Sequence, residues 1–196
     1  MTIERFLAFP HDYDVELLDD LPGGSQVEEQ LYFPSNRASE GKDGIAVRVK
    51  PSKGAQWIGI FSFGTPSAQG LKGVFSCPDS KSLLVVSAGR GYFVRSDKPG
   101  LWLNAPCFPI TDVRPVVDRG LLIFADRTTV AAWDKRGLLW RTPRIAWDEV
   151  KITEIDGEFL HGKASDPTVG PVDFQVNLKT GAHEGGSTPD RYRKKP

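Results

Sequence analysis

Cysteine is nearly absent from this chain, with only Cys77 and Cys107 among 196 residues. A disulfide framework or a thiolate zinc site needs more sulfur, or histidines close by. The two thiols are read as reduced and buried, with a single staple between them as the alternative. Histidine is almost as scarce: His11, His161 and His183 complete the set. None stands at a metal-ligand spacing, and His-Glu-x-x-His does not occur. No metal and no cofactor are expected. The cluster His11-Asp12-Tyr13-Asp14 has ligand chemistry, but such a cluster is more often a solvated loop. The Gly-x-Ser-x-Gly elbow of a nucleophilic serine is missing. Adjacent acids such as Asp19-Asp20 and Glu28-Glu29 read as solvated surface rather than as a facing pair of carboxylates. No catalytic residue is assigned, and an enzyme is the less favoured reading.

Charge of one sign is lacking too. Lys plus Arg and Asp plus Glu each number 25. No global field draws the chain to nucleic acid or to anionic lipid. Long apolar runs are missing: the start, Met1 to Leu7, carries an acid and no signal-like core, and no stretch approaches the ~18 apolar residues of a membrane span. A soluble, cytoplasmic protein with no membrane partner is expected.

Glycine and proline, by contrast, are abundant, at 20 and 15 residues. Together they exceed the usual share of about 12%, and they are spread along the chain. That spread implies many tight turns and many short strands. Apolar residues at 39% and charged residues at 26% are those of a folded globular chain.

Along the chain, Ile3 to Phe9 is a short apolar segment ended by Pro10. The acidic stretch His11 to Leu21 is expected to form a short helix, stopped by Pro22-Gly23-Gly24. Residues 1–26 are thus an N-terminal segment. Strand candidates follow at Glu29–Phe33, Ile45–Val49 and Gln56–Phe63, with a polar loop over Asn36–Asp43. Residues 27–186 are expected to form one β-domain. Residues 187–196, which end in Arg191-Tyr192-Arg193-Lys194-Lys195-Pro196, are read as a basic, disordered tail.

Within the β-domain a pattern recurs. Turns at Asp79, Asp118 and Asp156 are each followed by an apolar strand: Leu83-Leu84-Val85-Val86, Leu121-Leu122-Ile123-Phe124 and Phe159-Leu160. The turn aspartates stand 39 and 38 residues apart. A second set of turns lies at Asp97-Lys98-Pro99-Gly100, Asp134-Lys135-Arg136-Gly137 and Asn177 to Gly181. Aspartate and asparagine close their own backbone, and glycine supplies positive φ, so each is a hairpin turn with a mechanism. Ser165–Pro171 reads as an inserted loop. Val47 to Gly54, running on to Trp57, is a weaker copy.

A period near 40 with two hairpins per unit means about four strands per unit. Val130-Ala131-Ala132-Trp133-Asp134-Lys135-Arg136-Gly137-Leu138-Leu139-Trp140 resembles the strand–turn–strand signature of β-propeller blades of the WD40 or quinoprotein type. The resemblance covers about residues 71–186 and, more weakly, 27–70. The Gly-His opening of a WD40 unit is absent. It implies an all-β, antiparallel, propeller-like array of about four small four-stranded sheets; a β-sandwich is the alternative.

Five tryptophans are many for this length. Trp102, Trp133 and Trp140 occupy repeat positions and are assigned to the core. Trp147 follows Arg141 and Arg144 outside the repeat, and aromatic plus arginine is interface chemistry. Arg90 and Tyr92, in Ser87-Ala88-Gly89-Arg90-Gly91-Tyr92, form a second candidate contact at a turn. The binding candidates are therefore Arg90, Tyr92, Arg141, Arg144 and Trp147. The function expected is that of a non-enzymatic interaction, scaffold or regulatory module, such as a small bacterial scaffold. Its partner would be a protein or a second copy of itself. The alternative is a small-ligand binder or hydrolase with its site at an axis or between the repeats.

Overall fold

The computed structural model describes residues 3–21, 28–34, 43–65 and 70–188. The expected turn at Pro22-Gly23-Gly24, most of the loop at Asn36–Asp43 and the basic tail from Arg191 lie outside the described residues. The chain divides into two compact units, Met1–Ala105 and Pro106–Pro196. Among the described residues, no helix is long and apolar enough to cross a membrane.

The architecture is all-β, in four small and mostly antiparallel sheets. In the first unit the strands are β1 (Glu4–Phe6), β2 (Tyr13–Leu18), β3 (Glu29–Phe33), β4 (Gly44–Pro51), β5 (Trp57–Ser62), β6 (Gly73–Ser76), β7 (Ser82–Ser87), β8 (Arg90–Arg95) and β9 (Trp102–Asn104). They make one sheet of order β2-β4-β5-β3 and one of order β1-β6-β7-β8-β9. Two pairings are parallel, β3 with β5 and β1 with β6. The second unit holds β10 (Asp112–Val116), β11 (Leu121–Ala125), β12 (Val130–Asp134), β13 (Gly137–Arg141), β14 (Val150–Asp156), β15 (Phe159–Ala164), β16 (Val172–Asn177) and β17 (His183–Gly185). These form two four-stranded antiparallel meanders, β10 to β13 and β14 to β17.

The recurring turns fall at matching places. Those at Asp79, Asp118 and Asp156 join the β6–β7, β10–β11 and β14–β15 pairs. Those ending at Gly100, Gly137 and Gly181 join β8–β9, β12–β13 and β16–β17. The matched segments thus lie in three separate sheets. The weaker copy at Val47 to Trp57 is the β4–β5 hairpin of the fourth.

The acidic stretch expected to be helical is instead strand β2, hydrogen-bonded antiparallel to β4. Its side chains alternate, with Tyr13 and Val15 buried and Asp14 and Glu16 exposed. That is the period of a strand with one face in a core. The acids are the solvent face of a sheet and not a helix surface. Strands β1 and β2 therefore place residues before 27 inside sheets.

Each unit has its own apolar core. In the first, Tyr13, Val15, Val47, Val49, Trp57 and Phe61 meet Val74, Leu83, Val85, Tyr92 and Val94. Phe33 sits among aromatic rings there: its ring stacks on Phe61 at 4.6 Å and meets Trp102 edge-on at 5.7 Å. In the second, Leu121, Ile123, Ala132 and Trp140 meet Ile152, Leu160, Phe174 and Val176. Strands β7 and β11 are buried on both faces, which explains their unbroken apolar runs. Cys77 and Cys107 are free thiols, each buried in its own unit.

Candidate functional site

The loops at one end of the second unit gather three of the five residues singled out from the sequence. That end is made by the β11–β12 and β15–β16 connections and by the segment from β13 to β14. Register fixes this, because Ala125 pairs with Val130, Ala131 with Arg141, and Ala164 with both Val150 and Val172.

Arg141 closes β13 and turns onto Asp126. Its guanidinium donates to Asp126 Oδ2 at 2.9 Å and to Thr129 Oγ1 at 3.1 Å. The Asp126 side chain is almost wholly buried. Its Oδ1 also accepts the backbone N–H groups of Thr128 and Thr129, both at 2.7 Å. Arg141 therefore serves to neutralise a buried carboxylate that holds a turn.

Arg144 and Trp147 are placed differently. The Arg144 guanidinium donates to the carbonyl of Ala146 at 2.9 Å and to the carbonyl of Trp147. It also lies over the Trp147 ring, 5.6 Å from the centroid, in cation–π geometry. The Trp147 backbone is pinned from below. Its N–H donates to the Ser165 carbonyl at 3.1 Å, and the N–H groups of Asp148 and Glu149 both donate to Ser165 Oγ at 2.9 Å. Trp147 remains 37% exposed. A pinned, solvent-facing indole stacked on an arginine is a preorganised contact surface: little conformational freedom is left to lose when something covers it. Beside it, Arg127 and Asp148 pair at 2.9 Å.

Arg90 and Tyr92 lie in the first unit, on β8. Tyr92 is fully buried. Its hydroxyl donates to the Ser62 carbonyl at 2.9 Å, and its ring packs on Phe61 at 5.5 Å. Burial pushes its phenol up from the ordinary value, with Arg90 acting weakly in the other direction. Tyr92 is therefore a core residue, and the surface contact expected of it is corrected. Strand alternation is the reason: β8 turns Tyr92 and Val94 into the core. Arg90 begins the same strand half-buried beside Gly64, where even a Cβ would meet Arg90 Cβ at 2.8 Å.

The residues that position this end were missed in the sequence. Asp126 and Asp166 do the same work 40 residues apart. Asp166 Oδ1 accepts Thr168 N, Thr168 Oγ1 and Val169 N at 2.8–3.1 Å, and its Oδ2 accepts Ser187 Oγ at 2.7 Å. The signal was present as Asp-x-Thr at both 126–128 and 166–168. The loop expected over 165–171 joins β15 to β16 and holds a turn built on Asp166. His161 lies opposite Leu160 on β15, as alternation requires. The His11 ring meets the Phe9 carbonyl through Nδ1. Among the described residues, no group of three or more His, Cys, Asp or Glu side chains could hold a metal ion.

The fold and this end of the second unit define an all-β chain of small sheets with a loop-borne aromatic–arginine surface. No family model matches the chain, and no curated protein matches it. Among solved structures, it is similar to the N-terminal domain of Nup159, at 13% identity and a TM-score of 0.42 over 100% of this chain and 56% of that one. It is also similar to a chain of the S. cerevisiae Dbp5 complex with Nup159, Gle1, IP6 and ADP, at 10% identity and a TM-score of 0.43 over 98% and 55%. The chain spans little more than half the length of either.

Proposed function

We propose that this chain is a non-enzymatic protein-interaction or scaffold module, and that Arg144 and Trp147 form the centre of its docking surface. The observation that carries the reading is the partly exposed Trp147, fixed through its backbone and stacked on Arg144. Tryptophan and arginine dominate the energetic centres of protein interfaces. Exposed leucines support the same reading. Leu138 and Leu139 stand on β13, the outermost strand of its sheet, and Leu103 stands on β9, the outermost strand of another. Outer strands offer unpaired backbone groups to a partner strand, including one from a second copy.

The experiment is affinity capture from native extract, run side by side with wild type, Trp147→Ala and Arg144→Ala. Wild type is expected to retain a defined protein or a second copy. Trp147→Ala is expected to weaken retention by about 2 kcal/mol or more, with an unchanged melting temperature. Equal retention by all three chains would refute the assignment of the surface.

A further inference from the structure

The sheet of order β1-β6-β7-β8-β9 ends on an edge unlike the other edges. Among the described residues, eight strands end the four sheets. Seven of them carry at least one charged residue. Strand β10 adds Pro115, and the ladders of β13 and β14 each hold the register shift of a β-bulge. Charges, proline and bulges are the devices that keep sheet edges from pairing. Strand β9, Trp102-Leu103-Asn104, has none of them. Leu103 is 59% exposed, and so is Leu101 just before the strand.

Register fixes which backbone groups this edge offers. Phe93 pairs with Leu103 in an unbroken antiparallel ladder. On one side of that pair, Arg95 N–H donates to the Leu101 carbonyl at 3.2 Å. On the other side, Ala105 N–H donates to the Gly91 carbonyl at 2.8 Å. Hydrogen-bonded residues alternate along an antiparallel pair, so Leu103 also turns its N–H and C=O groups to β8. Trp102 and Asn104 turn theirs the opposite way, to the side where no described strand pairs. Side chains alternate as well. The Trp102 ring packs on the core, edge-on to Phe33 at 5.7 Å, and Leu103 stands on the other face beside Phe93.

From this edge we propose that two copies of the chain pair β9 with β9, antiparallel about a two-fold axis at Leu103. The edge is self-complementary in that register. Trp102 of one copy lies opposite Asn104 of the other. These are the residues whose backbone groups are open, so each such pair exchanges both of its N–H···O bonds. Leu103 lies opposite Leu103 of the second copy at a non-hydrogen-bonded position, where Cα atoms come within about 4.5 Å and side chains meet most closely. Leu101 of each copy reaches diagonally to the same leucine pair. The two exposed apolar side chains of each copy are thereby covered by their own equivalents. The two-fold pair closes on itself and leaves neither β9 edge for a third chain. This inference builds on the outer-strand part of the interaction reading. It uses neither Arg144 nor Trp147, so its failure leaves the docking surface around them standing.

The test uses the full chain. Light scattering should show the average mass rising towards two copies over a hundredfold rise in concentration, with amide exchange slowed at Trp102 and Asn104. Leu103→Lys sets like charges directly opposite each other and should weaken association about tenfold or more, at an unchanged melting temperature. Leu103→Cys should form an intermolecular disulfide under mild oxidation, because opposed Cα atoms about 4.5 Å apart are within bridging range. Leu101→Cys should not, because the two Leu101 positions stand about 13 Å apart along the strands. Cys77 and Cys107 are buried and add no background. A chain that stays monomeric across the whole concentration range overturns the proposal. So does a dimer that survives Leu103→Lys, or equal cross-linking of the two cysteine variants.

Discussion

The Trp140 indole donates a 2.8 Å hydrogen bond to the carbonyl of Leu178. The bond runs from the outermost strand of one sheet, β13, to the residue just after β16 of the next. The first unit contains its counterpart: Trp57, opening β5, donates to the carbonyl of Ser96, just after β8. Each tryptophan fills a two-sheet core with its ring and ties the neighbouring sheet with its N–H. Replacing either by phenylalanine keeps much of the apolar area and removes the donor. An unmet buried carbonyl costs about 1–3 kcal/mol. Urea unfolding should show a loss of that size for Trp140→Phe and for Trp57→Phe.

Gly181 closes the β16–β17 hairpin at φ of 73°. A Cβ there would lie 2.8 Å from atoms of the Trp140 ring. Backbone strain and ring clash act together. Gly181→Ala should destabilise the chain by about 1–3 kcal/mol, and thermal melting reads this directly.

Asp166 is a buried carboxylate with four donors on it, from Thr168, Val169 and Ser187. Hydrogen bonds to charged groups contribute about 1.5–3 kcal/mol each at most, and they share the same desolvation cost. Asp166→Ala is expected to lose about 2–3 kcal/mol in denaturant titration. Ser187→Ala, which removes one donor of the four, should lose less.

The thiols should be silent in the native state. Burial pushes the Cys107 thiol up to about 12, with nearby Asp126 adding to the effect. Cys77 is raised as well, by burial and then by Asp79. Reaction requires the thiolate and access to it. A chromogenic thiol reagent at pH 8 should therefore find neither cysteine in the folded chain and both in denaturant. Prompt labelling of the native chain would contradict the burial of these residues.

Asp97 is held below the ordinary carboxylate value, chiefly by its hydrogen bonds to Arg95. A depressed native value means that the pair stabilises the fold at pH above about 4, the unfolded carboxylate value. The contribution is lost as pH falls through the lower native value. The pair is open to water, so the contribution stays below about 1 kcal/mol. Wild type should lose stability more steeply than Asp97→Asn between about pH 5 and pH 2. Parallel curves would show that the pair contributes nothing.

What was legible in the sequence was local. Asp118 before Gly120, Asp134 before Gly137 and Asn177 before Gly181 specify turns by conformations that neighbouring residues share, so the hairpins and their spacing can be read directly. The strand at Leu121–Ala125 follows from the apolar run Leu121 to Phe124 beside such a turn. In strand β2 the acids resemble the charged face of a helix, while the alternation of Tyr13, Val15 and Leu17 with Asp14 and Glu16 carries the structural signal.

Tertiary structure alone decided which segments meet. Glu4 pairs with Gly73 and Glu29 with Trp57 in parallel ladders, and no local pattern encodes a parallel partner so far along the chain. The same holds for the surfaces proposed to bind. Tyr92 is turned into a core by its strand's register, and Trp147 is held in place by hydrogen bonds to Ser165. Turn chemistry acts between adjacent residues and is written in sequence; burial and charge act across space, and only packing of the sheets determines them.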